Sequence, residues 1–241
     1  MKRLLAIAAL FAATVLLPAA AQADENKNQR SEWLPEFNGV YVSAAIDIRF
    51  VQAAESEAPR IVYDIAGGVD TRFRAEVDKH GVLNITEKIM RDSRRKTRVV
   101  VYYHSIESLE VTDACVEFDN VLTQSVLTLD VSGRALFEAE LQVTDLEVVL
   151  SGKGTRAKLT GAARYVDIDA ASGHLDASGL DAMSVEVTAA YGAGVAVRAS
   201  ERLKTSASAS ATISYRGKPA IVKNRESVLG GTVKAVEDDG E

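Results

Sequence analysis

Leu127-Thr-Leu-Asp-Val-Ser-Gly133, Leu146-Glu-Val-Val-Leu-Ser-Gly152, Val166-Asp-Ile-Asp-Ala-Ala-Ser-Gly173, Val185-Glu-Val-Thr-Ala-Ala-Tyr-Gly192 and Lys204-Thr-Ser-Ala-Ser-Ala-Ser-Ala211 read as one unit written five times. The closing positions 133, 152, 173, 192 and 211 are separated by 19, 21, 19 and 19 residues. A fixed period near 20 residues marks a solenoid. Within each unit apolar and polar residues alternate, and side chains on a strand point to opposite faces with a period of two. No unit holds an amphipathic stripe long enough for a crossover helix. Each turn is therefore expected to be strand and corner only, which predicts an all-β chain wound as a parallel β-helix.

The columns extend this reading. Leu109, Leu127, Leu146, Val166 and Val185 are expected to share one inward column, and Val111, Leu129, Val148, Ile168 and Val187 the next. A second strand follows each corner, with inward pairs Val116/Phe118, Ala135/Phe137, Ala157/Leu159, Leu175/Ala177, Val195/Val197 and Ile213/Tyr215. A single coil cannot bury its apolar side, whereas stacked coils make one continuous core. Glycines between the strands supply backbone angles closed to other residues and let successive corners approach.

Working outward, residues 1–23 read as a signal peptide. Lys2 and Arg3 form the positive start, Leu4 to Leu17 the apolar middle, and Ala21-Gln22-Ala23 the small-x-small cleavage site. Leu4 to Leu17 spans 14 residues, short of the ~20 that cross a bilayer comfortably. No cysteine stands at the cleavage site, so a lipoprotein is not expected. With Lys2 and Arg3 removed, the formal net charge moves from −6 to −8. An acidic protein has no global attraction for nucleic acid or anionic lipid. The one cysteine, Cys115, excludes an internal disulfide and is expected to act as a small apolar residue.

Residues 24–36 are polar at their start and are expected to be a disordered leader, with Trp33 and Leu34 closing over the first coil. Strands are expected at Val40–Val42, Ile46–Val51, Arg60–Ile65, Thr71–Val77, Val82–Glu87 and Val99–Tyr103. These either begin the same solenoid or lie as paired strands across its end, and the residues leave both open. Ile221–Lys223 and Gly230–Val233 read as a last short turn, which makes 37–233 one domain and 234–241 an acidic tail.

Two charge patterns qualify as candidate sites. Arg91-Asp-Ser-Arg-Arg-Lys-Thr-Arg98 carries five positive charges in eight residues. Its tip, Arg94, Arg95 and Lys96, would suit an acidic glycan or phosphate, or else is a solvated hairpin tip. On the repeat, the outward column beside Leu127 is expected to run Thr128, Glu147, Asp167, Glu186 and Thr205, with Asp130 and Asp169 in the next outward column. Glu147, Asp167, Asp169 and Glu186 then form a carboxylate ladder that solvent screens or that holds a divalent cation, most plausibly calcium. His80, His104 and His174 lack metal-ligand spacing. No nucleophile elbow, phosphate loop or dinucleotide fingerprint is present, and no cofactor is implied.

Further motifs carry a family resemblance. Phe37-Asn-Gly-Val40 is followed by Ile46-Asp-Ile-Arg-Phe50, Gly81-Val-Leu-Asn-Ile85, Ser-Gly corners at 132–133, 151–154 and 172–173, and Ile213-Ser-Tyr-Arg-Gly-Lys-Pro219. In this order they resemble the head GIN domain family of autotransporter adhesins, exported bacterial proteins, over roughly Phe37 to Val233. The resemblance implies a right-handed, pectin-lyase-like β-helix and a role in adhesion, without catalytic residues. Expected from this is a non-enzymatic protein of the periplasm or surface of a Gram-negative-type bacterium. Its partner would be a glycan or another envelope protein. The alternative is a polysaccharide lyase or hydrolase on the same fold, which would need calcium-binding carboxylates with a base, or two opposed carboxylates.

Overall fold

A computed structural model describes residues 29–64, 72–88, 96–226 and 229–237, which are strand and turn with no helix among them. The regular half runs through β10 (Leu122–Ser132), β11 (Leu136–Ser151), β12 (Arg156–Ala171), β13 (His174–Ala190) and β14 (Gly194–Ala207). Each pairs in parallel with the next. β15 (Thr212–Arg216) and β17 (Thr232–Ala235) extend one side of β14, and β16 (Ile221–Glu226) extends the other.

These strands are long because each wraps around more than one face. The first face holds the column Leu127–Leu146–Val166–Val185–Leu203 and, two residues on, Leu129–Val148–Ile168–Val187–Thr205. The second face holds Val116–Phe137–Ala157–Leu175–Val195–Ile213. A third, which the two-strand reading of the repeat overlooks, holds Leu122–Leu141–Gly161–Leu180. The chain enters it in continuous strand, without a turn to announce it. Gly161 makes the bend at φ 103°, and a Cβ there would lie 2.1 Å from the Leu141 carbonyl oxygen. At the corner between the first and second faces, a Cβ on Gly152 would lie 2.5 Å from the Gly133 oxygen. Close stacking of corners therefore excludes a side chain there. Leu129, Val148 and Ile168 are fully buried, as the expected stacking requires.

The N-terminal half joins the same solenoid, but not in chain order. β2 (Gly39–Ser43) lies between β6 (Val82–Glu87) and β8 (Ser108–Thr112), parallel to both. β3 (Asp47–Gln52) lies between β7 (Arg98–Tyr103) and β9 (Cys115–Phe118), again parallel to both. In space the coil of 82–103 comes first, that of 39–52 second and that of 108–118 third. The end is closed by antiparallel strands. β4 (Arg60–Asp64) pairs with β7, β5 (Phe73–Val77) with β6, and β1 (Gln29–Trp33) with β4. Both alternatives for this half are thus realised, by different strands.

Four expectations need correction. Gln29–Trp33, placed in a disordered leader, is a strand, held by the β4 ladder and by the Tyr63 hydroxyl donating to Glu32. Leu34 is buried as expected, but Trp33 is 70% exposed beside the Arg60 guanidinium. Leu109 pairs with Leu129, and Val111 with Val131, so both stay inward but sit two residues further along. Leu203 rather than Lys204 continues the Val185 column, which turns Thr205 inward and Lys204 outward. The Thr205 hydroxyl finds its partner in Asn224 Oδ1 at 2.8 Å.

Candidate binding faces

On the second face, outward side chains form two columns. One runs Asp47–Cys115–Leu136–Arg156–His174 and the other Arg49–Glu117–Glu138–Lys158–Asp176. Between them lies a groove of about 370 Å³ whose lining includes Cys115, Leu136, Glu138, Arg156, Lys158 and His174. Leu136 is 46% exposed, an apolar floor among charges. Lys158 Nζ stands 2.7 Å from Glu138 Oε1, and that hydrogen bond raises the lysine's pKa. The central coils therefore do carry cations beside their carboxylates. Asp176 accepts hydrogen bonds from the Ser178 hydroxyl at 2.6 Å and the Ser178 amide at 3.1 Å. The hydroxyl bond first, and then the amide bond, holds its carboxyl below the usual range. Burial, then the Asp47 carboxylate, pushes the Cys115 thiol up, which disfavours the thiolate.

Of the expected basic tip, Lys96 is described and stands beside this groove. Lys96 Nζ lies 2.9 Å from Asp47 Oδ1, and Asp47 is the register neighbour of Cys115. Arg94 and Arg95 lie outside the described residues. Sequence reasoning missed the groove itself, because each coil contributes only two or three of its residues. Its signal was the outward half of the second-strand columns.

On the first face the ladder runs Thr128–Glu147–Asp167–Glu186–Lys204. Lys204 Nζ pairs with Glu186 Oε1, so a cation closes the ladder where Thr205 was expected. Asp130 and Asp169 lie in the adjacent column, with Val149 between them. The Asp167 carboxyl is raised, first by burial and then by Glu186, Glu147 and Asp169. Among the described residues, no group of three or more His, Cys, Asp or Glu side chains is arranged to hold a metal ion.

The remaining candidates have structural partners. Both His104 nitrogens face acceptors: Nδ1 lies 3.1 Å from the Glu36 carboxylate, and Nε2 lies 2.8 Å from the Glu57 carbonyl. The imidazolium fits these four-sided surroundings best, and the Glu36 bond raises its pKa. Tyr102 points outward, and the Arg60 guanidinium covers its ring at 4.1 Å. Ser172 and Tyr191 occupy corners at φ 70° and 51°.

Flat ladders of side chains on a continuously stacked core define a β-solenoid scaffold that presents residues on fixed faces. The chain belongs to the family described as "Putative auto-transporter adhesin, head GIN domain", whose pattern matches residues 36–219. Solved structures share the fold. One is described as a "putative adhesin" from Bacteroides fragilis, with TM-score 0.77, 18% identity, and 86% of this chain and 96% of that one covered. A second, so described from Parabacteroides merdae, has TM-score 0.62, 17% identity, and 86% and 95% covered. A third, described as a lipid-binding protein from Parabacteroides distasonis, has TM-score 0.62, 16% identity, and 88% and 98% covered. At these identities the likeness concerns the fold alone. No curated protein matches the chain. No helix of the described residues is long and apolar enough to cross a membrane.

Proposed function

We propose that this is an exported, adhesin-like envelope protein that binds an acidic glycan in the groove on its second face, without turning it over. The observation that carries the reading is the setting of Leu136, an exposed apolar floor where Arg156, Lys158 and His174 alternate with Glu117, Glu138 and Asp176, with Lys96 held on the neighbouring Asp47. A sugar ring uses an apolar floor for its C–H face, while cations meet its carboxylates. The family's description as an adhesin supports the export and surface role.

Binding of the chain from Asp24 onward to polygalacturonate, followed by calorimetry, tests it. Arg156→Ser with Lys96→Ser is expected to weaken binding about tenfold and to flatten its salt dependence. Leu136→Ala is expected to weaken binding without changing the salt slope, and polymer viscosity should stay constant. Equal binding by all variants, or falling viscosity, would overturn the reading.

A further inference from the structure

The first face carries a second pattern, independent of the groove on the second face. One outward column runs Val126–Asp145–Tyr165–Ser184–Arg202–Ile221, and beside it runs Thr128–Glu147–Asp167–Glu186–Lys204–Lys223. Along both, charge changes sign at one place. The coils of 145, 165 and 184 are acidic, and those of 202 and 221 are basic. Two shallow grooves follow the same division. The acidic one, about 350 Å³, is lined by Asp145, Glu147, Tyr165, Asp167, Ser184 and Glu186. The basic one, about 490 Å³, is lined by Ser184, Glu186, Arg202, Lys204, Ile221 and Lys223. They adjoin at Ser184 and Glu186. Apolar side chains stand open in both halves, with Tyr165 50% and Ile221 45% exposed.

We infer that this face binds a second copy of the chain, antiparallel, about a two-fold axis lying along the strands between the coil of Glu186 and that of Lys204. Such an axis reverses the order of coils but leaves each column facing itself. Glu186 then meets Lys204 of the second copy, and Asp167 meets Lys223. Ser184 meets Arg202, and Tyr165 covers Ile221. Every contact occurs twice, as a self-complementary interface requires. The two Glu186–Lys204 pairs combine into a square of alternating charge. A parallel arrangement would instead set carboxylates against carboxylates, so charge selects the antiparallel one.

Light scattering coupled to size exclusion, on the chain from Asp24 onward, tests the proposal. A dimer is expected at low salt, dissociating as salt rises. Asp167→Lys and Lys223→Asp should each weaken it at least about tenfold, since each turns two attractive contacts repulsive. An equimolar mixture of the two variants should dimerise again, because every 167–223 contact then joins opposite charges. Both positions are exposed, and unchanged melting will show that the variants fold. A wild type that stays monomeric at millimolar concentration, a dimer indifferent to both charge variants, or a mixture that fails to reassociate would each overturn the inference.

Discussion

At the N-terminal end of the solenoid the inward columns hold Leu83, Ile85, Phe50 and Phe118, while at the other end the same columns hold Thr205, Ala207 and Val197. The N-terminal core is aromatic. Phe50 stacks on Phe118 at 4.9 Å, Tyr103 meets both edge-on at 6.1 Å, and Tyr63 packs on Phe73 at 4.6 Å. Antiparallel β4 and β5 close that end, with β1 lying on β4. At the C-terminal end Val222 continues the Leu203 column yet is 42% exposed, and Asn224 continues that of Thr205. In a solenoid each coil gains stability mainly from its neighbours. A capped, aromatic end and a more polar end of smaller side chains therefore cannot be equally firm.

The largest effect is expected in the middle, where both ends depend on continuity. Ile168→Asp should abolish cooperative unfolding, because an unpaired buried charge costs several kcal/mol. A soluble variant that melts normally would refute the stacking. Next comes the contrast itself. Phe50→Ala should lower stability by about 3–5 kcal/mol, and Val222→Ala by less than about 1 kcal/mol. Urea unfolding compares them, and equal losses would erase the distinction.

Alkali should separate the ends by another route. Burial first, and for Tyr63 the Glu32 carboxylate next, pushes the hydroxyls of Tyr63 and Tyr103 up to about 12. In the unfolded chain these groups ionise near 10. Their contribution is therefore complete below pH 10 and is lost as pH rises toward 12. Hydrogen exchange should show the N-terminal coils loosening over that window, and Tyr63→Phe should shallow the decline. Smaller still is a gain at the C-terminal end. Ala209 and Ser210 take φ 46° and 65° without glycine, so Ser210→Gly should add up to about 1 kcal/mol. The smallest expected effect concerns the carboxylate ladder, whose last member is already held by Lys204. Melting curves with calcium and with chelator should coincide. A shift of several degrees, lost in Asp167→Asn, would restore an ion to that face.

The same contrast explains what could be read from the chain. From Leu127 to Val187 each coil follows its predecessor in sequence, so period and alternation give the register directly. At β14 the count slips. Ser178, Gly179 and Leu180 form an irregular stretch, between Ala177 and Asp181, with no counterpart in β14. The run Thr205-Ser-Ala-Ser-Ala-Ser-Ala211 offers no glycine to fix its corner, and every second residue fits equally well. One residue of error was enough to exchange Lys204 and Thr205 between surface and core. In the N-terminal half the strands were recognisable, but their order was not, because stacking there departs from chain order. The charged tip was visible as composition. The groove on the second face depends on residues about 20 apart, brought side by side only by the register.

That departure from chain order also bears on how the protein can be made. β2 and β3 emerge early, yet the neighbours that cover their two edges come from 82–103 on one side and 108–118 on the other. A chain delivered from its N-terminus must hold those two strands with both edges open until 82–103 has arrived, and with one edge open until Phe118 has. Only then can it lay down coils one at a time on a finished template. Exposed strand edges invite wrong partners, so the vulnerable period falls in the first half of delivery. The regular coils, which dominate the finished shape, are the part that needs least guarding while they form.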